Sequence, residues 1–141
     1  MVREIATPEE RKLAYAIRHQ VFVIEQKVPV EEELDVHDEG ARHWLGYVQE
    51  QPVATARLIP YGQGVGKVGR VAVLSEFRQA GLGKQLMLAM EQAARQEPLR
   101  QLVLDAQIQV VDFYQHLGYQ AEGELFEDCG ILHRRMVKWL A

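Results

Sequence analysis

"RVAVLSEFRQAGLGKQLM", residues 70–87, decides the fold. An apolar, β-branched run ends near Leu74, and an amphipathic helical pattern begins near Leu82. Arg78, Gly81 and Gly83 lie between them. A plain connector needs neither the two glycines nor the guanidinium. Gln79 to Gly83 would present several backbone N–H groups at a helix start, where they have no intrahelical partner and the dipole adds partial positive charge. Glycine lets backbone approach an anion with no Cβ in the way, and Arg78 offers a fork of donors. The stretch therefore reads as a pyrophosphate cradle or as a tight strand-to-helix turn with a surface arginine. Spacing alone leaves both open.

Two other phosphate motifs fail on context. Gly64, Gly66 and Gly69 spell G-x-G-x-x-G but precede a strand, whereas a dinucleotide fingerprint follows one and opens a helix. They read as a loose glycine turn. A Walker A loop would need glycine five residues before Gly83-Lys84 and Ser or Thr after it; Arg78 and Gln85 stand there.

Outward from this stretch the chain alternates strands and helices. "VREIA" (2–6) is a short strand. Thr7, Pro8 and Glu10 spell a capped helix start, with Leu13, Ile17 and Val21 as its buried stripe. "KVPVEEELDVHDEGAR" (27–42) is irregular and strongly acidic. Residues 43–62 read as two strands around Glu50-Gln51-Pro52, and 68–74 as a third. In the helix after the quoted turn, Leu82, Leu86, Ala89, Met90 and Ala93 face inward, with Lys84, Gln85, Glu91, Gln92 and Arg95 mostly opposite. "LRQLVLDAQ" (99–107) is a strand. "VVDFYQHLG" is a short helix with Val110, Phe113 and Leu117 on its core stripe and Tyr114 beside them. "YQAEGELF" and "LHRRMVKWL" are closing strands. This order predicts an α/β layer structure with helices on both faces of a mixed sheet.

The 141 residues predict a single domain spanning 1–141. Sixteen Lys+Arg against 20 Asp+Glu argue against a nucleic-acid partner. One cysteine, Cys129, fits a reducing compartment, and no apolar run suggests a signal peptide or a membrane span. The expectation is a cytoplasmic protein with neither a membrane nor a nucleic-acid partner. "RRMVKWL" offers a strand for pairing across a homodimer.

The quoted loop resembles the Q/R-x-x-G-x-G/A signature of GNAT-family N-acetyltransferases. "FYQHLGY" (113–119) resembles that family's late helix with its tyrosine. "RHQVFVIEQKVP" (18–29) and "DCGILH" (128–133) are similar to segments of its small ElaA-like branch. The resemblance implies a mostly antiparallel mixed sheet of six or seven strands. It implies acetyl-CoA as co-substrate and no metal. The diphosphate would lie on Arg78, Gln79, Ala80, Gly81, Leu82, Gly83 and Lys84, and the pantetheine arm on the backbone of Val71 and Val73. A small-molecule or peptide amine would attack the thioester directly in a ternary complex.

That chemistry needs a neutral amine, although alkyl amines have a pKa of about 10.4. It also needs donors for an oxyanion and an acid for the departing thiolate. The resemblance makes Tyr114 the acid; by itself it reads as an aromatic at a helix edge. His133 and Glu25 are the candidate bases. Glu25 follows the apolar run "VFVI", where burial would raise its pKa; it also reads as a helix-end salt bridge. His133 also reads as a strand-end histidine bonded to backbone. The acidic segment (Glu31, Glu32, Glu33, Asp35, Asp38, Glu39) reads as a solvated loop or as a rim attracting a cationic amine. Trp44, Phe22 and Tyr61 line an acceptor pocket or the core, and Cys129 reads as a small packed side chain. The alternative to an enzyme is a non-catalytic acyl-CoA-binding module on the same fold.

Overall fold

Thr7 opens the first helix by the reciprocal cap expected of it. Its Oγ1 accepts from the Glu10 amide at 3.2 Å, and Glu10 Oε1 accepts from the Thr7 amide at 3.1 Å. The computed structural model describes residues 1–140. Helix α1 runs Pro8–Arg18 and continues as a π-helical stretch over His19–Glu25. Its buried face is Ala14, Ile17, Arg18 and Val21; Leu13, expected on it, is exposed. A run of four-residue steps drifts off a 3.6-residue period, whereas 14, 17, 18 and 21 keep to one side.

Seven strands form one sheet: β1 (Val2–Glu4), β2 (Arg42–Val48), β3 (Gln51–Gly62), β4 (Val65–Val73), β5 (Gln101–Gln107), β6 (Gln120–Asp128) and β7 (Ile131–Trp139). Their order is β1-β2-β3-β4-β5-β7-β6, antiparallel except between β4 and β5. The mixed, mostly antiparallel sheet is the architecture expected.

Both early hairpins are tighter than the sequence suggested. The first turns on Gln49 and Glu50, both left-handed, so Pro52 lies inside β3. The second turns on Gln63 and Gly64, leaving Gly66 and Gly69 inside β4 rather than in a loose loop. Helices α3 (Leu82–Gln96) and α4 (Val111–His116) cover one face, over a core of Leu58, Val68, Leu86, Met90, Leu102, Leu104 and Met136. On α3, Glu91 is buried rather than on the solvent side. Helix α1 covers the other face with Ala14, Ile17 and Val21 against Leu45, Tyr47 and Ala72.

The acidic segment is solvated only in part: Glu31, Glu32 and Glu39 are exposed, but its other acids are folded in. It contains a short helix, α2 (Val30–Glu33), and it turns Glu33 and Asp38 inward, each 4% exposed. Arg18, itself 1% exposed, donates from Nε to Glu33 Oε2 at 2.9 Å and from Nη1 to Asp38 Oδ1 at 2.7 Å. Arg57 Nη1 reaches Asp35 and Asp38 at 2.8 and 2.9 Å, and Arg70 Nε reaches Glu33 at 3.1 Å. Three guanidiniums thus meet three carboxylates, which is how a run of acids can be buried at all. His43, not separable from a surface histidine in the sequence, is buried against the Asp38 carbonyl.

Burial would push the Asp38 carboxyl up, but its bonds from Arg18, the Asp35 amide and Arg57 hold it well below the usual range. Its contribution to stability is complete above the unfolded carboxylate pKa of about 4 and is lost as the pH falls below it. Arg18→Leu should lower stability by about 3 kcal/mol in urea unfolding, because it takes the most buried guanidinium from two buried carboxylates and leaves Asp38 to Arg57 and Glu33 to Arg70. The acid-side loss of stability should be smaller in that variant than in the parent.

Candidate active site

Strands β4 and β5 pair only over Val65–Val68 and Gln101–Leu104, although β4 continues to Val73 and β5 to Gln107. Beyond Val68 they part, and a wedge opens through the sheet. A bulge accompanies the parting: Arg70 and Val71 stand opposite Ala56 alone, with Arg70 left-handed at φ 51°. Val73 is paired with Ala54, and the next amide, Leu74, reaches the Val53 carbonyl at 2.9 Å. That is the pattern of a non-hydrogen-bonded pair, so the N–H and C=O of Val73 point away from β3, into the wedge. Alternation carries Val71 the same way.

At the end of β4 a 3₁₀ turn (Ser75–Ala80) leads to Gly81, which caps α3 in the left-handed region at φ 75°. No side chain caps α3, and its first intrahelical bond is from the Gln85 amide to the Gly81 carbonyl. The amides of Leu82, Gly83 and Lys84 are therefore open to an anion. The two glycines serve different ends. Nothing lies within 4 Å of a Cβ at Gly81, whose need is the positive φ; a Cβ at Gly83 would meet Phe113 Cζ at 3.3 Å. Gly83 thus lets α4 close onto the start of α3.

Arg78 does not point at those amides. Its Nη1 and Nη2 each donate to Glu25 at 2.7 Å, and its Nε donates to the Val73 carbonyl at 3.0 Å. Glu25 accordingly lacks the raised pKa expected of it: the Arg78 fork holds its carboxyl down. This is the helix-end salt bridge that the sequence also allowed.

Tyr114 is the buried residue of α4. Val110, expected on the stripe, lies before the helix in a 3₁₀ turn and is 39% exposed. The Tyr114 ring meets Phe113 and Tyr119 edge-on at 5.0 and 6.0 Å. Burial pushes its phenol up to about 12, so it holds its proton at neutral pH.

His133 stands on β7 opposite Gln107. Its Nδ1 lies 2.7 Å from the Ile131 carbonyl, and its ring stacks on Phe126 with centroids 5.7 Å apart. A carbonyl can only accept, so in the neutral ring Nδ1 carries the proton and Nε2 keeps a free lone pair. Met136 points into the core beneath α3, so alternation puts His133 and Arg135 on the opposite face of β7. Tyr114 and His133 thus flank the wedge from opposite sides of the sheet.

Several neighbours of the wedge escaped the sequence reading. Gln107 Nε2 donates to Gln26 Oε1 at 2.8 Å, joining the end of β5 to the residue after the π-helical stretch. Asp105 accepts from Arg135 at 2.6 Å and pairs with Lys67 at 3.1 Å. The polar alternation within "LVLDAQ" was their one signal. Cys129 is exposed rather than packed; its Sγ donates to Glu32 at 2.9 Å, tying the last hairpin to α2. The Glu32 carboxylate pushes that thiol up to about 11, away from nucleophilic use. Trp44 is core, while Tyr61 lies exposed on the α1 face.

Comparison with known proteins agrees with this geometry. Residues 6–140 match the family model described as "Acetyltransferase (GNAT) domain". The chain is 40% identical to the uncharacterized N-acetyltransferase YjcF of Bacillus subtilis, over 92% of this chain and 93% of that one. An acyl-CoA N-acyltransferase of Pseudomonas aeruginosa superposes with a TM-score of 0.87 at 30% identity, covering 98% of this chain and 99% of that one. Escherichia coli ElaA superposes with a TM-score of 0.84 at 27% identity, covering 98% of each.

Gly81→Ala should cost about 1–2 kcal/mol, the strain of a side chain in the left-handed region. Gly83→Ala should instead disturb Phe113, read as a change in that ring's NMR signals at near-parent stability. Equal unfolding midpoints for Gly81→Ala and the parent would refute the first assignment.

Proposed function

The chain belongs to the GNAT acetyltransferase family, and on that premise we propose that it moves an acetyl group from acetyl-CoA to a primary amine within a ternary complex. The family implies an acyl-CoA co-substrate. The observation that carries the proposal is the wedge: backbone at Val71 and Val73 that pairs with no strand on the β5 side, with uncapped α3 amides on one side and His133 on the other.

In this reading the amides of Leu82, Gly83 and Lys84 and the turn Gln79–Gly81 take the diphosphate. The pantetheine arm lies along Val71 and Val73, and one of those N–H groups receives the oxyanion. Arg78 joins the diphosphate only by leaving Glu25. The amine arrives from the α1 face and loses its proton to His133 Nε2. The new N–C bond forms as the carbonyl becomes tetrahedral. The C–S bond then breaks, and the thiolate takes the Tyr114 proton. Glu25, held as a carboxylate, suits an ammonium partner better than a proton-accepting role.

The test is thiol release from acetyl-CoA with five amines: spermidine, glucosamine, lysine, glycine and a lysine-containing peptide. Turnover with at least one is expected. Calorimetric binding of CoA with no turnover would favour a binding module. Tyr114→Phe should lower kcat about 10²-fold with CoA affinity unchanged. His133→Ala should remove the rising limb of the pH–rate profile; a retained limb would assign the base elsewhere.

A further inference from the structure

Glu91 and Lys138 take no part in those steps, yet they form an ion pair at the edge of the core, with the carboxylate buried and the ammonium mostly so. Glu91 is 2% exposed, and its Oε1 accepts from Lys138 Nζ at 2.9 Å. Its Oε2 and the Tyr119 hydroxyl have no hydrogen-bond partner among the described residues. Withdrawing such charges from water often costs more than their attraction returns, and a well-packed apolar pair frequently does as well. Something other than stability should account for this one.

Lys138 Nζ also donates to the Leu117 carbonyl at 2.6 Å, just past the end of α4. In that same turn the amides of Leu117 and Tyr119 both donate to the Tyr114 carbonyl, at 3.0 and 3.1 Å. The ammonium stands 5.8 Å from the centre of the Tyr119 ring, the ring that meets Tyr114 edge-on. Gly118 makes room for it, since a Cβ there would lie 3.2 Å from Lys138 Cε. Helix α4 has six residues and no side-chain cap, too little to hold its own register. One partly buried cation therefore grips both the turn after Tyr114 and the ring beside it, and Glu91 aims that cation.

We propose that the Glu91–Lys138 pair is a positioning device for Tyr114, fixing the last turn of α4 so that the phenol meets the leaving sulfur. The inference rests on the reading of Tyr114 as the acid. Glu91→Leu/Lys138→Met removes the pair without leaving a buried lone charge, since Arg95, the other cation at Glu91 (3.8 Å), is exposed to solvent. This variant should melt at or above the parent temperature and bind CoA with the parent Kd. Its kcat with the fastest of the five amines should fall about 10–100-fold, the usual effect of a slightly misplaced group. In a Tyr114→Phe background the same change should cost nothing further. Parent kcat in the folded double variant, or an undiminished loss in the Tyr114→Phe background, would overturn the proposal. If Tyr114→Phe alone runs at the parent rate, the acid assignment fails instead. Hydrogen exchange reads the effect without turnover: the Leu117 and Tyr119 amides should exchange about 10-fold faster in the variant, and unchanged protection would also refute the proposal. Should the double variant not fold, Glu91→Gln/Lys138→Met, which keeps the shape of residue 91 without its charge, is read by the same measurements.

Discussion

The parallel pairing of β4 and β5 stops at Val68 and Leu104, and the candidate site follows from that stop. Had the strands stayed paired in that register, the backbone of Gly69–Val71 would be spent on Asp105–Gln107 and no ligand could enter between the strands. Two features keep the strands apart. The extra residue at Arg70–Val71 bends β4, as a bulge does. Arg70, left-handed in that bulge, is anchored at Glu33 and Asp35 rather than left to relax. A β4 residue is thus held by the segment after α1 while its own backbone turns toward the opening.

This gives the buried ion network a meaning beyond stability. Arg18, Arg57 and Arg70 balance Glu33, Asp35 and Asp38, so the cluster adds no net charge to the α1 face. What it provides is registry. The segment 30–38 is fixed against α1, β3 and β4 together, and the wedge opens beside it. Buried ionic groups are retained for such specificity in some proteins, and here the specified feature is the placement of one loop.

How much of this was legible in the sequence depended on range. The Thr7 cap, the strand–turn–helix at 70–87 and the alternation of elements are local, and each was readable from spacing. The partners of Arg18 lie 15 and 20 residues away, and the pair Arg78–Glu25 is separated by 53. No periodicity encodes such contacts, so an acidic run read as a solvated loop or a rim, and Glu25 stayed open between a buried base and a salt bridge with no partner to name. Tyr114 was misplaced on its helix for a related reason. Val110 looked helical by pattern, but it lies in the 3₁₀ turn before α4 and so off the helix's own period, and Tyr114 is the residue of α4 that is buried. Glu91 and Lys138 were invisible because each is ordinary on its own element and unusual only in the other's company.

The opposed placement of Tyr114 and His133 also bears on mechanism. Acyl transfer needs one proton taken from nitrogen and another given to sulfur. An acid and a base in direct contact would bond to each other and lose both functions. With the sheet between them, the phenol is kept protonated by burial among Phe113 and Tyr119, while the imidazole is oriented by the Ile131 carbonyl and keeps its lone pair free. The wedge between β4 and β5 is an opening in the sheet between the two sides. In the proposed chemistry a thioester entering from the α3 side and an amine from the α1 side meet there, each already beside the group that moves its proton.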